Sequence, residues 1–474
     1  VSIAVEVGQP GAAAEAIVPS LRSALKSGDV VMLNDPFRGG SHLPDITLVS
    51  PMFLPDSAEP SGYAATRAHH ADVGGMSPGS LPHSESIYQE GLRLPPIRLQ
   101  REGILDEDIL KIFCANSRSP EERKGDLQAQ IQSHALAEKR WQALGLRAGG
   151  WQELAKMGAA LQAYGSRKMQ ACLDKLPQGS WEEVAYLEGA DRDHPLTALR
   201  ATLKVEGGNI EIDFSASDDA VSGSLNAVKA ICESAVYYGF LCLLSAEFPG
   251  EVLPVNAGTF SQIRCRTRPG SVLDAGLPHA VAGGNVETSQ RIVDVVLGLL
   301  SQALPGRLPA QSQGTMNNVT MGGMSGKGAF SYYETLGGGA GAGASLPGAD
   351  AIQVHMTNTL NTPIEAVEYT FPLMVREYAI RENSGGRGTH RGGEGMIREW
   401  EMRIPVEVTI LSERRKCAPS GACGGEDGKP GEQFRVKRDG TRQSLEAKGT
   451  WSFAPGERLR IETPGGGGYG EAGH

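Results

Sequence analysis

The apolar residues of this chain fall into segments whose period changes along its length. Up to about residue 115, short apolar runs alternate with Gly/Pro-rich turns. Val30-Val31-Met32-Leu33 and Ile46-Thr47-Leu48-Val49 read there as buried strands. A helical stretch follows. Ser119-Pro120-Glu121-Glu122 has the form of a capping box with proline at the first helical position, and predicts a helix to about Leu146. Gly149-Gly150 breaks it. A second helix is predicted from Trp151 to Leu176, which makes an αα-hairpin suited to packing or subunit contact. Strict alternation then predicts a β-hairpin. Leu199, Ala201, Leu203 and Val205 share one face, Gly207-Gly208 turns the chain, and Ile210, Ile212 and Phe214 repeat the pattern. Helices are predicted near 226–247 and 287–304, the latter from the stripe Ile292, Val295, Val296, Leu299 and Leu300. Beyond about 310 the chain is rich in glycine and in strand patterns. Ile352 to Met356 and Val406 to Leu411 are the strand candidates, and the tail from Thr463 to Gly470 reads as a loop.

These segments predict an α+β, multi-domain fold with mixed and antiparallel sheets. Its expected parts are a site-bearing region (1–115), a helical hairpin (116–180), an α+β region (181–310) and a glycine-rich, β-rich region (311–474). The chain opens on Val1, and Val1 to Val7 already reads as part of an element, so a missing N-terminal portion is expected.

Composition changes this picture in three places. Glycine supplies 62 of 474 residues, about 13 % against a usual share of about 7 %, in clusters that suggest close backbone approaches. The net charge of −10, without a basic stripe interleaved with aromatics, argues against nucleic acid. Seven cysteines, an odd count without a Cys-x-x-Cys, fit reduced thiols in a cytoplasmic protein better than a zinc ribbon or disulfide framework. No signal peptide is visible. The most apolar run, Ala235 to Leu244, reads as too short to span a membrane.

The candidate chemistry concentrates between Asn34 and Glu90. Four of the ten histidines (42, 69, 70 and 83) lie there beside Asp35, Asp45 and Asp72. Pro44 excludes a helix interior, so His42 and Asp45 sit on a turn entering a strand, where two ligands three apart can meet one cation. If His69 and His70 lie on a strand they face opposite ways, so one strand cannot give both to one metal; which one it gives stays open. Imidazole with carboxylate suits Zn²⁺, Mn²⁺ or Fe²⁺ better than Mg²⁺ or Ca²⁺. Hydrogen-bonded packing histidines are the plain alternative. Gly74 to Ser80 could present backbone N–H groups to an anion, or be a simple turn. Glu85 and Glu90 could act as acid or base, or sit at the surface. Gly322 to Gly328 lacks the spacer and the Ser/Thr of a P-loop. Gly337 to Gly343 lacks the helix of a dinucleotide loop.

Several long motifs carry a resemblance. Asn34-Asp35-Pro36-Phe37-Arg38-Gly39-Gly40-Ser41-His42-Leu43-Pro44-Asp45 and Ala68-His69-His70-Ala71-Asp72-Val73-Gly74-Gly75 are similar to signatures of the hydantoinase B/oxoprolinase family. So are Tyr333-Glu334-Thr335-Leu336-Gly337-Gly338-Gly339, the run from His355 to Glu365, Ser384-Gly385-Gly386, His390-Arg391-Gly392-Gly393 and the glycine tail. The resemblance implies an ATP-dependent system. An actin-like A-type subunit would bind ATP and Mg²⁺ and phosphorylate the substrate, while this B-type chain handles it. Members hydrolyse cyclic amides such as hydantoins and 5-oxoproline; relatives carboxylate ketones such as acetone. By position the resemblance assigns a divalent transition metal to His42, Asp45 and one histidine of the 69–70 pair without settling which; Zn²⁺ or Mn²⁺ on His42, Asp45 and His69 is the expectation. His70 or Asp72 would then serve as base or supporting partner, and His355, Thr357 and Asn358 as substrate contacts. A cyclic-amide hydrolase subunit in a hetero-oligomer is the expected function, with a ketone carboxylase subunit or a non-catalytic scaffold as alternatives.

Overall fold

The computed structural model describes residues 25–55, 58–189, 196–326 and 328–472; the element expected at Val1 to Val7 lies outside them. The first sheet is built from β1 (Val30–Leu33), β2 (Asp45–Met52), β3 (Gly62–His69), β4 (Ile97–Arg101) and β5 (Ile104–Leu105), in the order β3-β2-β1-β4-β5. Every residue of β1 and β2 is buried, as continuous apolar runs demand. Helix α1 (Glu107–Ala115) is capped by the Asp106 side chain. The long hairpin of α2 (Pro120–Ala148) and α3 (Trp151–Leu173) follows, with Gly149 turning the chain at φ 90°. The capping box is not formed. Ser119 sits at the N-cap, but its buried hydroxyl finds no partner, and Pro120 alone marks the start.

The second sheet runs β6 (Gly179–Leu187), β7 (Thr197–Glu206), β8 (Asn209–Asp213), β9 (Ile263–Arg266), with β8 and β9 parallel. The β7–β8 hairpin buries Leu199, Ala201, Leu203, Val205, Ile210 and Ile212 as the alternation predicts. Against this sheet pack α4 (Lys229–Glu247), on β9, and α5 (Ser289–Ala303), on β6 and β7. By length and composition α4 could cross a membrane, contrary to the sequence reading of its apolar run. Its Ile231, Ala235, Val236, Phe240 and Leu244 are nevertheless buried in the core, as in the central helix of a globular fold. A π-helical turn, Gly284–Thr288, leads into α5, and all of its residues are buried.

The C-terminal part holds β10 (Asn318–Ser325), β11 (Gly328–Glu334), α6 (Ile364–Thr370), β12 (Leu373–Arg381), β13 (Gly395–Met402), β14 (Val406–Leu411), β15 (Glu432–Val436), β16 (Arg442–Ser444), β17 (Lys448–Phe453) and β18 (Arg458–Glu462). These strands form two antiparallel sheets, β11-β10-β14-β17 and β12-β13-β18-β15-β16, around a core centred on Trp400. Ile352 to Met356 is not a strand. Ile352 makes one isolated bridge to Gly338, and His355 sits at φ 55°. The glycine runs at 337–343, 385–393 and 465–468 lie side by side. Gly393 N donates to Ala340 O at 2.8 Å and Gly466 N to Gly393 O at 2.9 Å. A Cβ on Gly466 would overlap the Ala340 carbonyl, so backbone contact, not turn geometry, requires glycine there.

Candidate metal centre

The loop from Asn34 to Pro44 is fixed by its own side chains. Asn34 donates to Leu43 O at 2.8 Å and Leu92 O at 2.9 Å, and accepts from Leu94 N at 2.6 Å. Arg67 ties Thr47 Oγ1 to Gly39 O, each at 2.8 Å. This places His42 just ahead of β2, whose first residue, Asp45, pairs directly with His69 at the end of β3. His42 Nδ1 lies 3.1 Å from Asp45 Oδ2, and His69 Nδ1 lies 3.2 Å from Asp45 Oδ1. Ser41 Oγ donates to Asp45 Oδ2 at 2.6 Å. One ligand atom from each of His42, Asp45 and His69 falls within 4.8 Å of the other two.

Register sends the two histidines to different surroundings. His69 faces the cluster and stacks on His42, with ring centroids 5.3 Å apart. His70 turns away, its Nε2 3.1 Å from Gln130 Oε1 and its ring edge-on to Phe113. Burial lowers the His69 imidazole and pushes His70 down to about 4, so both are neutral near pH 7. Burial also pushes the Asp45 carboxyl up, but His42 and His69 outweigh it and hold the group well below the usual carboxylate range.

These residues fit a metal. Both ring nitrogens of His42 and Nε2 of His69 are buried without a satisfied hydrogen bond, His42 Nδ1 having only the ion-pair approach to Asp45. Buried nitrogens left unpaired are costly, and two imidazoles beside an ionised carboxylate form a donor set for a divalent transition ion.

The other predicted residues lie elsewhere. Asp72 accepts from Gly74 N (3.0 Å), Gly79 N (3.1 Å), Arg118 N (3.2 Å) and Arg118 Nη1 (3.0 Å). The anion cradled by the 74–80 loop is thus the chain's own carboxylate, which leaves Asp72 no free acceptor for a base. Glu90 is also an anchor: it accepts from Ser84 Oγ, Val281 N and Ala282 N. Glu85 and His83 are exposed. His355 Nδ1 lies 3.4 Å from the Tyr238 hydroxyl, Thr357 Oγ1 accepts from Gln290 Nε2 at 2.9 Å, and Asn358 is exposed. None of the three is in contact with the His42–Asp45–His69 cluster.

Residues that sequence reasoning passed over complete the site. The Tyr333 ring lies 5.1 Å from the His69 ring. Its hydroxyl donates to Asn318 Oδ1 at 2.9 Å, and Asn318 Nδ2 donates to Glu287 Oε1 at 2.8 Å. Burial, then the charges of Asp45 and Glu287, keep the Tyr333 phenol protonated. Burial and nearby Glu413 push Glu287 up to about 7. Arg123 is buried as well, with Nε and Nη1 unpartnered, and its charge lowers both His69 and His70. The available signal was the unusually polar run Asn285 to Arg291 ahead of an apolar helical stripe.

Fold and site define an α+β chain with a largely buried His/His/Asp cluster between its first sheet and its C-terminal strands. It belongs to the Hydantoinase B/oxoprolinase family, which is matched over residues 1–472. 5-oxoprolinase 1 of Arabidopsis thaliana is 36% identical over 470 residues, 94% of this chain; the chain spans only 36% of that protein's length. The ATP-dependent caprolactamase from Pseudomonas jessenii superposes with a TM-score of 0.91 at 25% identity, covering 99% of this chain and 82% of that one. The nucleotide-free structure of acetone carboxylase superposes at 0.88 over 98% of this chain and 68% of that one; at 17% identity it shares the fold.

Proposed function

We propose that this chain is the substrate-handling part of an ATP-dependent cyclic-amide hydrolase of hydantoin or 5-oxoproline type. It works with an actin-like A-type subunit that binds ATP and Mg²⁺ and phosphorylates the substrate. His42, Asp45 and His69 hold the Zn²⁺ or Mn²⁺. The observation that carries the reading is the set of buried, unpartnered imidazole nitrogens around an ionised carboxylate. It stands in a family whose relatives include proteins named 5-oxoprolinase and caprolactamase.

A bound ion supplies Lewis acidity to an amide carbonyl, a poor electrophile on its own. The chain's residues do the rest. Ser41 fixes the rotamer of Asp45, burial keeps water from competing for His42, and the low basicity of His69 keeps it unprotonated at neutral pH. Metal analysis of the pure chain, followed by ATP-dependent turnover with an A-type subunit, tests the proposal. Transition metal near one equivalent and lactam or hydantoin opening are expected. Carboxylation of a ketone from labelled bicarbonate, without lactam opening, would replace this reading with the carboxylase one. Activity that ignores the metal would leave only a scaffold.

A further inference from the structure

Tyr333 is held so that its hydroxyl can act in one way only. Asn318 Nδ2 faces two acceptors, Glu287 Oε1 at 2.8 Å and Leu411 O at 3.0 Å, so its Oδ1 must be the atom turned to Tyr333. The Tyr333 proton is therefore committed to Asn318 Oδ1 at 2.9 Å, and the phenol oxygen keeps its acceptor lone pairs for another donor. Glu287 is secured in turn: Met316 N also donates to its Oε1 at 3.0 Å. The two sheet residues are diagonal neighbours across β10 and β11, so the arrangement is set by register. The ring stands beside His69 and within reach of the Asp45 charge, and its hydroxyl is a fixed acceptor.

In a lactam or hydantoin ring the amide is forced cis. Its carbonyl oxygen and N–H then project from the same edge of the ring. A site that receives the carbonyl at the His42–Asp45–His69 cluster and offers one acceptor beside it matches that edge. An open-chain trans amide turns its N–H away, and a ketone has none. We infer that Tyr333 reads the N–H of a cyclic cis-amide, with Asn318 and Glu287 as positioning residues, and that this contact selects cyclic amides over ketones. The inference rests on the function proposed above.

The test pairs each lactam with its carbocyclic analogue, in which CH₂ replaces the ring N–H: 5-oxoproline with 3-oxocyclopentane-carboxylate, and ε-caprolactam with cycloheptanone. Binding to the Zn²⁺- or Mn²⁺-loaded chain is measured by calorimetry, and metal content by elemental analysis. The wild type should prefer at least one lactam over its analogue by about tenfold or more, since the analogue strands a buried acceptor. Tyr333→Phe keeps the ring on His69 and should keep the metal, but bring the ratio to about one. Asn318→Leu frees the hydroxyl to turn and should reduce the ratio without changing metal content. A Tyr333→Phe chain that retains the wild-type ratio overturns the inference, as does a metal-loaded wild type that takes neither lactam or does not discriminate. A wild type that holds no metal removes the proposed function along with it.

Discussion

Asp72 distinguishes an anchor from a base. Replacing it with alanine deletes one buried carboxylate that accepts from three backbone N–H groups and the Arg118 guanidinium. Breaking a fully buried ion pair costs about 3–5 kcal/mol, but the Arg118 side chain is 29% exposed, and water recovers part of that. Each hydrogen bond to a charged acceptor contributes about 1.5–3 kcal/mol, again reduced where water enters the vacated space. A net loss of about 3 kcal/mol follows. The substitution Asp72→Asn should lose less, because the amide oxygen keeps part of the acceptance while the NH₂ opposes the remaining donors. Urea unfolding followed by tryptophan fluorescence measures the loss, and elemental analysis of the folded variant measures the metal. We expect a lowered unfolding free energy with metal content unchanged. An Asp72→Ala chain within about 0.5 kcal/mol of wild type, yet inactive in the reconstituted system, would refute the anchoring role and return Asp72 to the chemistry.

Three further outcomes are expected. His42→Ala should reduce bound transition metal to less than about a tenth of an equivalent, with the far-ultraviolet dichroism of the folded chain retained. His134 bridges α2 to β2 and β3 through Ser50 Oγ (2.7 Å) and Thr66 Oγ1 (2.9 Å), and burial pushes it from 6.5 down to about 4. The unfolded chain takes up this proton first, so the contribution is complete above pH 6.5 and is lost as pH falls toward 4, by roughly 2 kcal/mol at pH 5. His134→Gln should flatten that part of the stability–pH curve. Gly466→Ala drives a Cβ into the Ala340 carbonyl and should lower stability by about 3 kcal/mol in urea unfolding, whereas Gly158→Ala, with open space around it, should not.

Much of the local structure was legible because burial and period coincide. The β7–β8 hairpin shows one strict alternation on a sheet with one covered face, and the α2–α3 hairpin has glycines where its chain turns. His42, Asp45 and the 69–70 pair were legible as a cluster because these residues lie close in sequence. The choice of His69 over His70 was not, since it depends on the pairing of Asp45 with His69 across strands 24 residues apart. Ile352 to Met356 misled because its residue types suit a strand, while among the described residues its only ladder contact is the isolated bridge from Ile352 to Gly338. The glycine runs misled differently. Their function is contact between backbones far apart in sequence, which local turn chemistry cannot reveal.

Tyr333, Asn318 and Glu287 lie beyond local reading for a further reason: the site is shared between distant parts of the chain. The turn Pro78–Ser80, which follows the histidines, packs on β10 and β11. Gly79, at φ 80°, lies where a Cβ would strike the Thr320 side chain, and Gly322 where one would strike Pro78. Only glycine at both points lets the strands close on the loop and bring Tyr333 to His69. A fragment ending near residue 310 would contain His42, Asp45 and His69, yet lack the ring beside His69 and the hydroxyl fixed by Asn318. Such a fragment could supply the three clustered side chains, but not the acceptor inferred above to read a ring N–H. The chain must therefore fold as far as β11 before the His42–Asp45–His69 cluster and the Tyr333 hydroxyl stand in one site.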